Sequence, residues 1–276
     1  MLITEKEILN PSIPDLPSKE LVIELCKREG SRRNHLTYSS KDREIFIKYN
    51  NASMSEAHTQ LFFYNYMMSK DNPVFRIPEI YHAFQTEGKG TYILKENIDI
   101  EGQASDEQRV QALCELVSVP PPSGVFGNIG GGLIRHPIFD DEEAPVHFAS
   151  TAKLEAYINR ALQWFNRING RQDKVDFSNE PLMCYYADFH RNNFPVDVNG
   201  QLWVIDFEHA GVLPSSFMSY ALRAHPRGLS HSLRKEIPVP VSNNLVAMGN
   251  ASYIFKCVHN DFHISPERTP DHQPGQ

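Results

Sequence analysis

The chain has 276 residues, enough for one large domain or two modest ones with a sizeable core. A hydrophobic content of 41% and a charged content of 22% are those of an ordinary globular protein. The formal net charge of -7 argues against nucleic acid as a partner, because phosphate backbones are held by clustered Lys and Arg.

The first residues, MLITEKEILNPSIPD, lack a basic stretch followed by an apolar core, so no signal peptide is expected. The greasiest run, LFFYNYMM, is far too short to span a bilayer. Cys26, Cys114, Cys184 and Cys257 are scattered without framework spacing, the pattern of reduced thiols. The expectation is a cytoplasmic protein with no membrane partner.

In chain order, a Pro-rich lead-in precedes LVIELCKREG, HLTYSS and REIFIKYN, which read as short strands joined by polar turns. SMSEAHTQLFFYNYMMSK has Met54, Ala57, Leu61, Tyr64 and Met68 at helical spacing, and Ser53 with Glu56 fits a capping box at its start. PEIYHAF and TYILKENI are two further strands. From Ser105 the texture turns helical, with SDEQRVQALCELVSV opening on a Ser-x-x-Gln cap. A glycine-rich stretch (SGVFGNIGGG) follows, then TAKLEAYINRALQWFNRI, a helix with Leu154, Ile158, Ala161, Phe165 and Ile168 on one face. The predicted fold class is α+β in two lobes: a small β-rich lobe with one helix over 1–97, a mainly helical lobe over 98–262, and a disordered tail over 263–276.

YYADFHRNNFPVDVNGQLWVIDFEHAG, residues 185–211, carries the chemistry. Asn199-Gly200 is a strong hairpin signal, and a two-residue turn there sets Val198 opposite Gln201 and, farther out, Asn193 opposite Asp206. Such a non-hydrogen-bonded pair lies about 4.5 Å apart between Cα atoms, with both side chains on one face. An amide oxygen and a carboxylate held that close suit a hard cation such as Mg²⁺. Asp188 precedes Asn193 by five residues, and Asp-x-x-x-x-Asn followed by a hairpin and Asp is the order of a kinase catalytic loop and metal loop. There the first Asp accepts the proton of the substrate hydroxyl, while Asn and the second Asp hold the metal. Such a site also needs a strand lysine for the phosphates and a helix glutamate to hold it. IFIKYN supplies Lys48 between apolar neighbours, and Glu56 follows on the next helix, where its position permits either capping or pairing.

The order IFIKY, SEAHTQ, PEIYHAF, TYILKENID, YYADFHRNNF, VIDFEHAG resembles the aminoglycoside phosphotransferase and choline kinase family, in the flavour of its uncharacterised fungal members, over roughly residues 20–215. The resemblance implies a protein-kinase-like fold, a nucleotide-binding lobe ahead of a lobe with the catalytic and metal loops, ATP or GTP and Mg²⁺ as cofactors, and a small-molecule hydroxyl as acceptor. It implies Asp188 as catalytic base, Asn193 and Asp206 as metal ligands, and Lys48 with Glu56 at the phosphates. TYILKENID would be the strand and hinge that hold the base. Three features depart from the family pattern. Tyr186-Ala187 stands where His-Gly is usual, Gly30 is the one glycine in the nucleotide-covering loop, and 70 residues follow Asp206. They make a nucleotide-binding module without turnover the alternative, with a metal-dependent hydrolase behind it.

Four lesser signals read as structural. Ser150-x-x-Lys153 is a helix cap, His190 packs or hydrogen-bonds within its loop, and Gly127–Gly132 is a lid or substrate loop without phosphate-loop spacing. Cys257, His259 and His263 have zinc-like spacing but no second ligand cluster nearby.

Overall fold

The computed structural model describes residues 6–88, 90–224 and 229–259. Strands β1 (Glu7–Leu9), β2 (His35–Ser39), β3 (Glu44–Lys48), β4 (Ile80–Gln85) and β5 (Thr91–Glu96) form one antiparallel sheet in the order β1-β4-β5-β3-β2. β1, unforeseen in the sequence, is a three-residue edge strand on β4.

LVIELCKREG is not a strand but the core of helix α1 (Lys19–Glu29), so the sheet carries two helices rather than one. Ser18 caps its start by accepting from Leu21 N, and Gly30, at φ 79°, ends it. Val22 and Cys26, one turn apart, pack on Ile45, Ile47, Phe84 and Leu94. Helix α2 (Met54–Met68) covers the opposite face, with Ala57 against Ile80, Ala83 and Ile93. Strand alternation therefore points Ile45 and Ile47 towards α1, and Phe46 and Lys48 towards α2.

The buried stripe of α2 differs from the expected one. Glu56, Ala57, Thr59, Gln60, Phe63 and Met67 are inside, and Met68 is 63% exposed. Counting only apolar residues rotates the helix, because half of its inner face is polar and serves the cleft.

The second lobe is built from α3 (Asp106–Ser118), α4 (Thr151–Asn169), α5 (Ser215–Ala224), the short α6 (His231–Arg234) and α7 (Leu245–Cys257). Two small antiparallel ladders support the loops: β6 (Ile100–Gln103) with β8 (Pro195–Asp197), and β7 (Leu182–Tyr186) with β9 (Ala210–Pro214). The α3 capping box forms as expected between Ser105 and Gln108. On α4, Leu154, Ile158 and Ala161 are buried together with Tyr157 and Leu162, while Ile168 in the last turn is exposed. Tyr157 stacks on Phe255 of α7 at 5.0 Å, which joins these two helices across the core. The architecture is α+β in two lobes. No described helix is long and apolar enough to cross a membrane. All four cysteines are free. Residues 263–276, expected to be disordered, and His263 lie outside the described residues.

Candidate active site

Lys48 ends β3 on the α2 face and is 7% exposed. Its Nζ donates to Glu56 Oε1 at 2.7 Å and to Asp206 Oδ1 at 3.1 Å. Burial works against the ammonium, but the two carboxylates outweigh it, and the Lys48 pKa is raised. Asp206 is the mirror case: burial opposes its charge, Lys48 with Lys95 and His209 together outweigh it, and its pKa is lowered. Glu56 is fully enclosed, so burial pushes its carboxyl up while Lys48 pulls it back. Ser53 Oγ still caps α2 by accepting from Glu56 N at 3.0 Å, but the Glu56 side chain turns to Lys48. Only half of the expected capping box forms, because a buried ammonium is a stronger partner than a backbone N–H.

The hairpin register is one residue away from expectation. Asp197 N donates to Gln201 O, Trp203 N to Pro195 O and Ile205 N to Asn193 O. Asn193 therefore opposes Ile205, not Asp206. The cause is the turn: Gly200 N donates to Asp197 O, and Gly200 has φ 78° while Asn199 does not enter the positive-φ region. This is a three-residue loop with a type I turn and a glycine bulge. Asp197 selects it, since its Oδ1 accepts from the N–H groups of Asn199 and Gln201 and its Oδ2 from Trp203 Nε1, each at 2.9 Å.

Asp206 sits at the end of the hairpin with φ 62° and ψ 76°, a left-handed backbone that frees its side chain from the ladder. Phe207 anchors the kink, stacked on Phe63 of α2 at 5.3 Å. Facing it is the loop from Asp188 to Asn193. Its hydrogen bonds are local: His190 N donates to Asp188 Oδ1, Asn192 N to His190 Nδ1, and Asn193 Nδ2 to Asp188 O. His190 therefore caps the loop. Arg109 of α3, fully buried, donates to Phe189 O at 2.9 Å and to Asp106 at 2.7 Å, and Arg191 reaches the same Asp106 at 2.9 Å.

Tyr186 joins the two loops. It is fully buried, its hydroxyl donates to Ile205 O at 2.6 Å, and its ring lies edge-on to Phe194 and Phe207. Burial, then the charges of Asp188 and Asp206, push its pKa up, so it stays a neutral donor. The side chain of Asn193 is a further polar neighbour of its hydroxyl. Thus Lys48, Glu56 and Asp206 form one cluster, and Asp188 and Asn193 meet it around Tyr186.

Lys95 was not foreseen as a site residue. It lies on β5 opposite Phe46, is 6% exposed, and its ammonium is 3.4 Å from Gln60 Oε1. Burial pushes its pKa down, opposed first by Glu56. A lysine inside an apolar strand was the signal used for Lys48, and TYILKE shows it again.

The donor set suits Mg²⁺. Asn193 Nδ2 is engaged with a carbonyl, which leaves Oδ1 for a metal, and Asp206 keeps an oxygen not bound to Lys48. Among the described residues no cluster of three His, Cys, Asp or Glu forms a separate metal site, and His259 pairs with Asp140 at 2.9 Å. Ser150 caps α4, accepting from Lys153 N.

No family model matches the chain, and no curated protein matches it. Among solved structures it is similar to a thermostable mutant of aminoglycoside phosphotransferase APH(4)-Ia, with 16% identity, 80% of each chain covered and a TM-score of 0.41. It is also similar to AMP-bound spectinomycin phosphotransferase APH(9)-Ia, with 12% identity over 81% of this chain and 79% of that one, TM-score 0.45. A third is choline kinase LicA from Streptococcus pneumoniae, with 13% identity, 82% of each chain covered and a TM-score of 0.42.

Proposed function

We propose that the chain is a Mg²⁺-dependent phosphotransferase that moves the γ-phosphoryl of ATP or GTP to the hydroxyl of a small molecule, acting in the cytoplasm. One observation carries the reading: Lys48 is held between a helix glutamate and the metal-loop aspartate, at 2.7 and 3.1 Å. A buried lysine with two acidic partners is positioned to give its charge to phosphate oxygens without moving far.

In this reading Asn193 and Asp206 hold the metal, which neutralises charge on the phosphates when bound. Lys48, kept in place by Glu56, contacts the phosphates on the sheet side. Asp188 accepts the proton of the attacking hydroxyl, and the Arg109–Asp106–Arg191 brace holds its loop in register. Catalysis of this kind is mostly positioning and charge neutralisation.

The alternative is a nucleotide-binding module without turnover. Tyr186-Ala187 favours it, because a neutral phenol stands where the resembled family has an imidazole. An ADP-release assay with Mg-ATP and Mg-GTP against a panel of hydroxylated metabolites separates the two. The phosphotransferase reading expects acceptor-dependent ADP release. Nucleotide binding with no release on any acceptor would leave the binding module.

A further inference from the structure

Lys48 has its two acid partners on different lobes. Glu56 stands in the first turn of α2, and Asp206 lies just ahead of β9. The spacing of α2 and β9 therefore decides whether one ammonium can reach both. The glycine-rich segment, residues 127–132, touches both elements.

On one side it is built onto β9. Gly127 N donates to Val212 O at 2.8 Å and Val212 N to Gly127 O at 2.9 Å, a two-bond antiparallel bridge. A Cβ on Gly211 would lie 2.5 Å from Gly127 O, so only glycine admits the contact. Asn128 Nδ2 donates to Leu133 O and Gly131 N to Asn128 O, which closes the segment on itself.

On the other side it abuts α2. A Cβ on Gly130 would lie 2.5 Å from His58 Cβ and 3.0 Å from Ser55 Cα, nearer than packed carbons come. Gly130 is not among the positive-φ glycines, so what it supplies here is the missing side chain. Ser55 Oγ donates to Gly131 O at 2.5 Å. Farther along the same helix, Phe63 stacks on Phe207 at 5.3 Å. Held at its first turn and again about two turns on, α2 cannot tilt about a single contact. Expected as a lid or substrate loop, the segment is instead a fixed spacer.

We propose that residues 127–132 are a strut that fixes the distance between α2 and the metal loop, and that Gly130 is a positioning residue which, through α2, holds Glu56 and so Lys48 in the cleft. The Lys48–Glu56 pair is then assembled by the fold of the free chain, with no activating partner needed to press α2 inward. The value of that assembly for phosphotransfer rests on the reading above; the strut itself does not.

Acetylation of Lys48 by acetic anhydride tests it, read by peptide mass spectrometry on the full chain without nucleotide, with exposed Lys174 as internal reference. Lys48 is buried and paired, so the parent should be acetylated there slowly. Gly130→Ala overpacks the contact and should relax by tilting α2 outward, raising the Lys48 rate about tenfold relative to Lys174. Ser55→Ala removes one hydrogen bond without adding a clash. It should raise the rate about threefold, and it decides the matter if Gly130→Ala does not fold. Met248→Ala, in the buried core of α7, controls for a general loss of stability and should leave the rate at the parent value. The proposal is overturned if the folded strut variants label Lys48 at the parent rate, or if Met248→Ala raises the rate as much as they do. Because no nucleotide is used, a parent that fails to bind Mg-ATP would end the phosphotransferase reading and leave this result standing.

Discussion

The two sides of the cleft hold their functional groups by different means. On the sheet side Lys48, Glu56 and Lys95 are buried, and the Glu56 carboxylate supports the charge of both lysines. On the loop side Asp188 and Asn193 are held by hydrogen bonds to backbone and by the Arg109–Asp106–Arg191 brace around them. A buried charge cluster is stable only as a set, because removing one member strands the rest in low dielectric. A hydrogen-bonded loop tolerates the loss of a side chain much better, so its residues can change chemistry without unfolding the protein. Substitutions on the sheet side should therefore register first as stability, and those on the loop side as activity.

Lys48→Met gives the largest expected effect. It leaves Glu56 fully enclosed without its salt bridge, and urea denaturation should show a loss of about 3 kcal/mol. A loss below about 1 kcal/mol would mean that Glu56 already carries a proton beside Lys48, and the sheet side would not be an interdependent charge set.

Tyr186→Phe comes next. It removes the hydroxyl that donates to Ile205 O and leaves that carbonyl unsatisfied, at a cost of about 1–2 kcal/mol in the same assay. No measurable loss would mean that the two loops meet without this link.

Asp106→Asn should have the smallest effect, a modest loss of stability that is fully present at neutral pH and disappears in acid. The hydrogen bond from Arg109, and the charges of Arg109 and Arg191, hold the Asp106 carboxyl below its ordinary range. A depressed carboxylate contributes stability that is present above its unfolded pKa, about 3.9, and is lost as pH falls through the folded value. Thermal melts of the parent should thus steepen in their pH dependence below about pH 4, and the variant should be flatter there. Between about pH 5 and pH 8 the two slopes should coincide. Equal stability of parent and variant at neutral pH would mean that the brace does not act by charge pairing.

How legible these two sides were in the sequence follows the same division. Lys48, Asp188, Asn193 and Asp206 stood out because a lysine in an apolar strand and acids around a hairpin defy the local pattern. Lys95 carries the same signature, a single lysine in the apolar strand TYILKE. α1 was read as a strand because the β-branched residues in LVIEL masked a cap at Ser18 and a stop at Gly30. The register slipped because Asn-Gly suggests a two-residue turn, whereas the Asp197 carboxylate, two residues earlier, stabilises a three-residue one. What a side chain does across a turn is invisible to a dipeptide rule. The inner face of α2 was hidden for a related reason: Glu56 and Gln60 are buried by their partners in the cleft, and apolar counting cannot see partners.

The central claim is that Asp206 holds the metal and Asp188 serves the acceptor. It is tested most directly by thermal stabilisation with Mg-ATP in Asp206→Asn and Asp188→Asn, measured alongside turnover. The account predicts that Asp206→Asn loses the Mg²⁺-dependent stabilisation, because an amide cannot neutralise the cation. Asp188→Asn should keep it, while turnover falls by roughly 10²–10⁴-fold for want of a positioned proton acceptor. Asp206→Asn binding Mg-ATP as tightly as the parent would contradict the assignment of this hairpin.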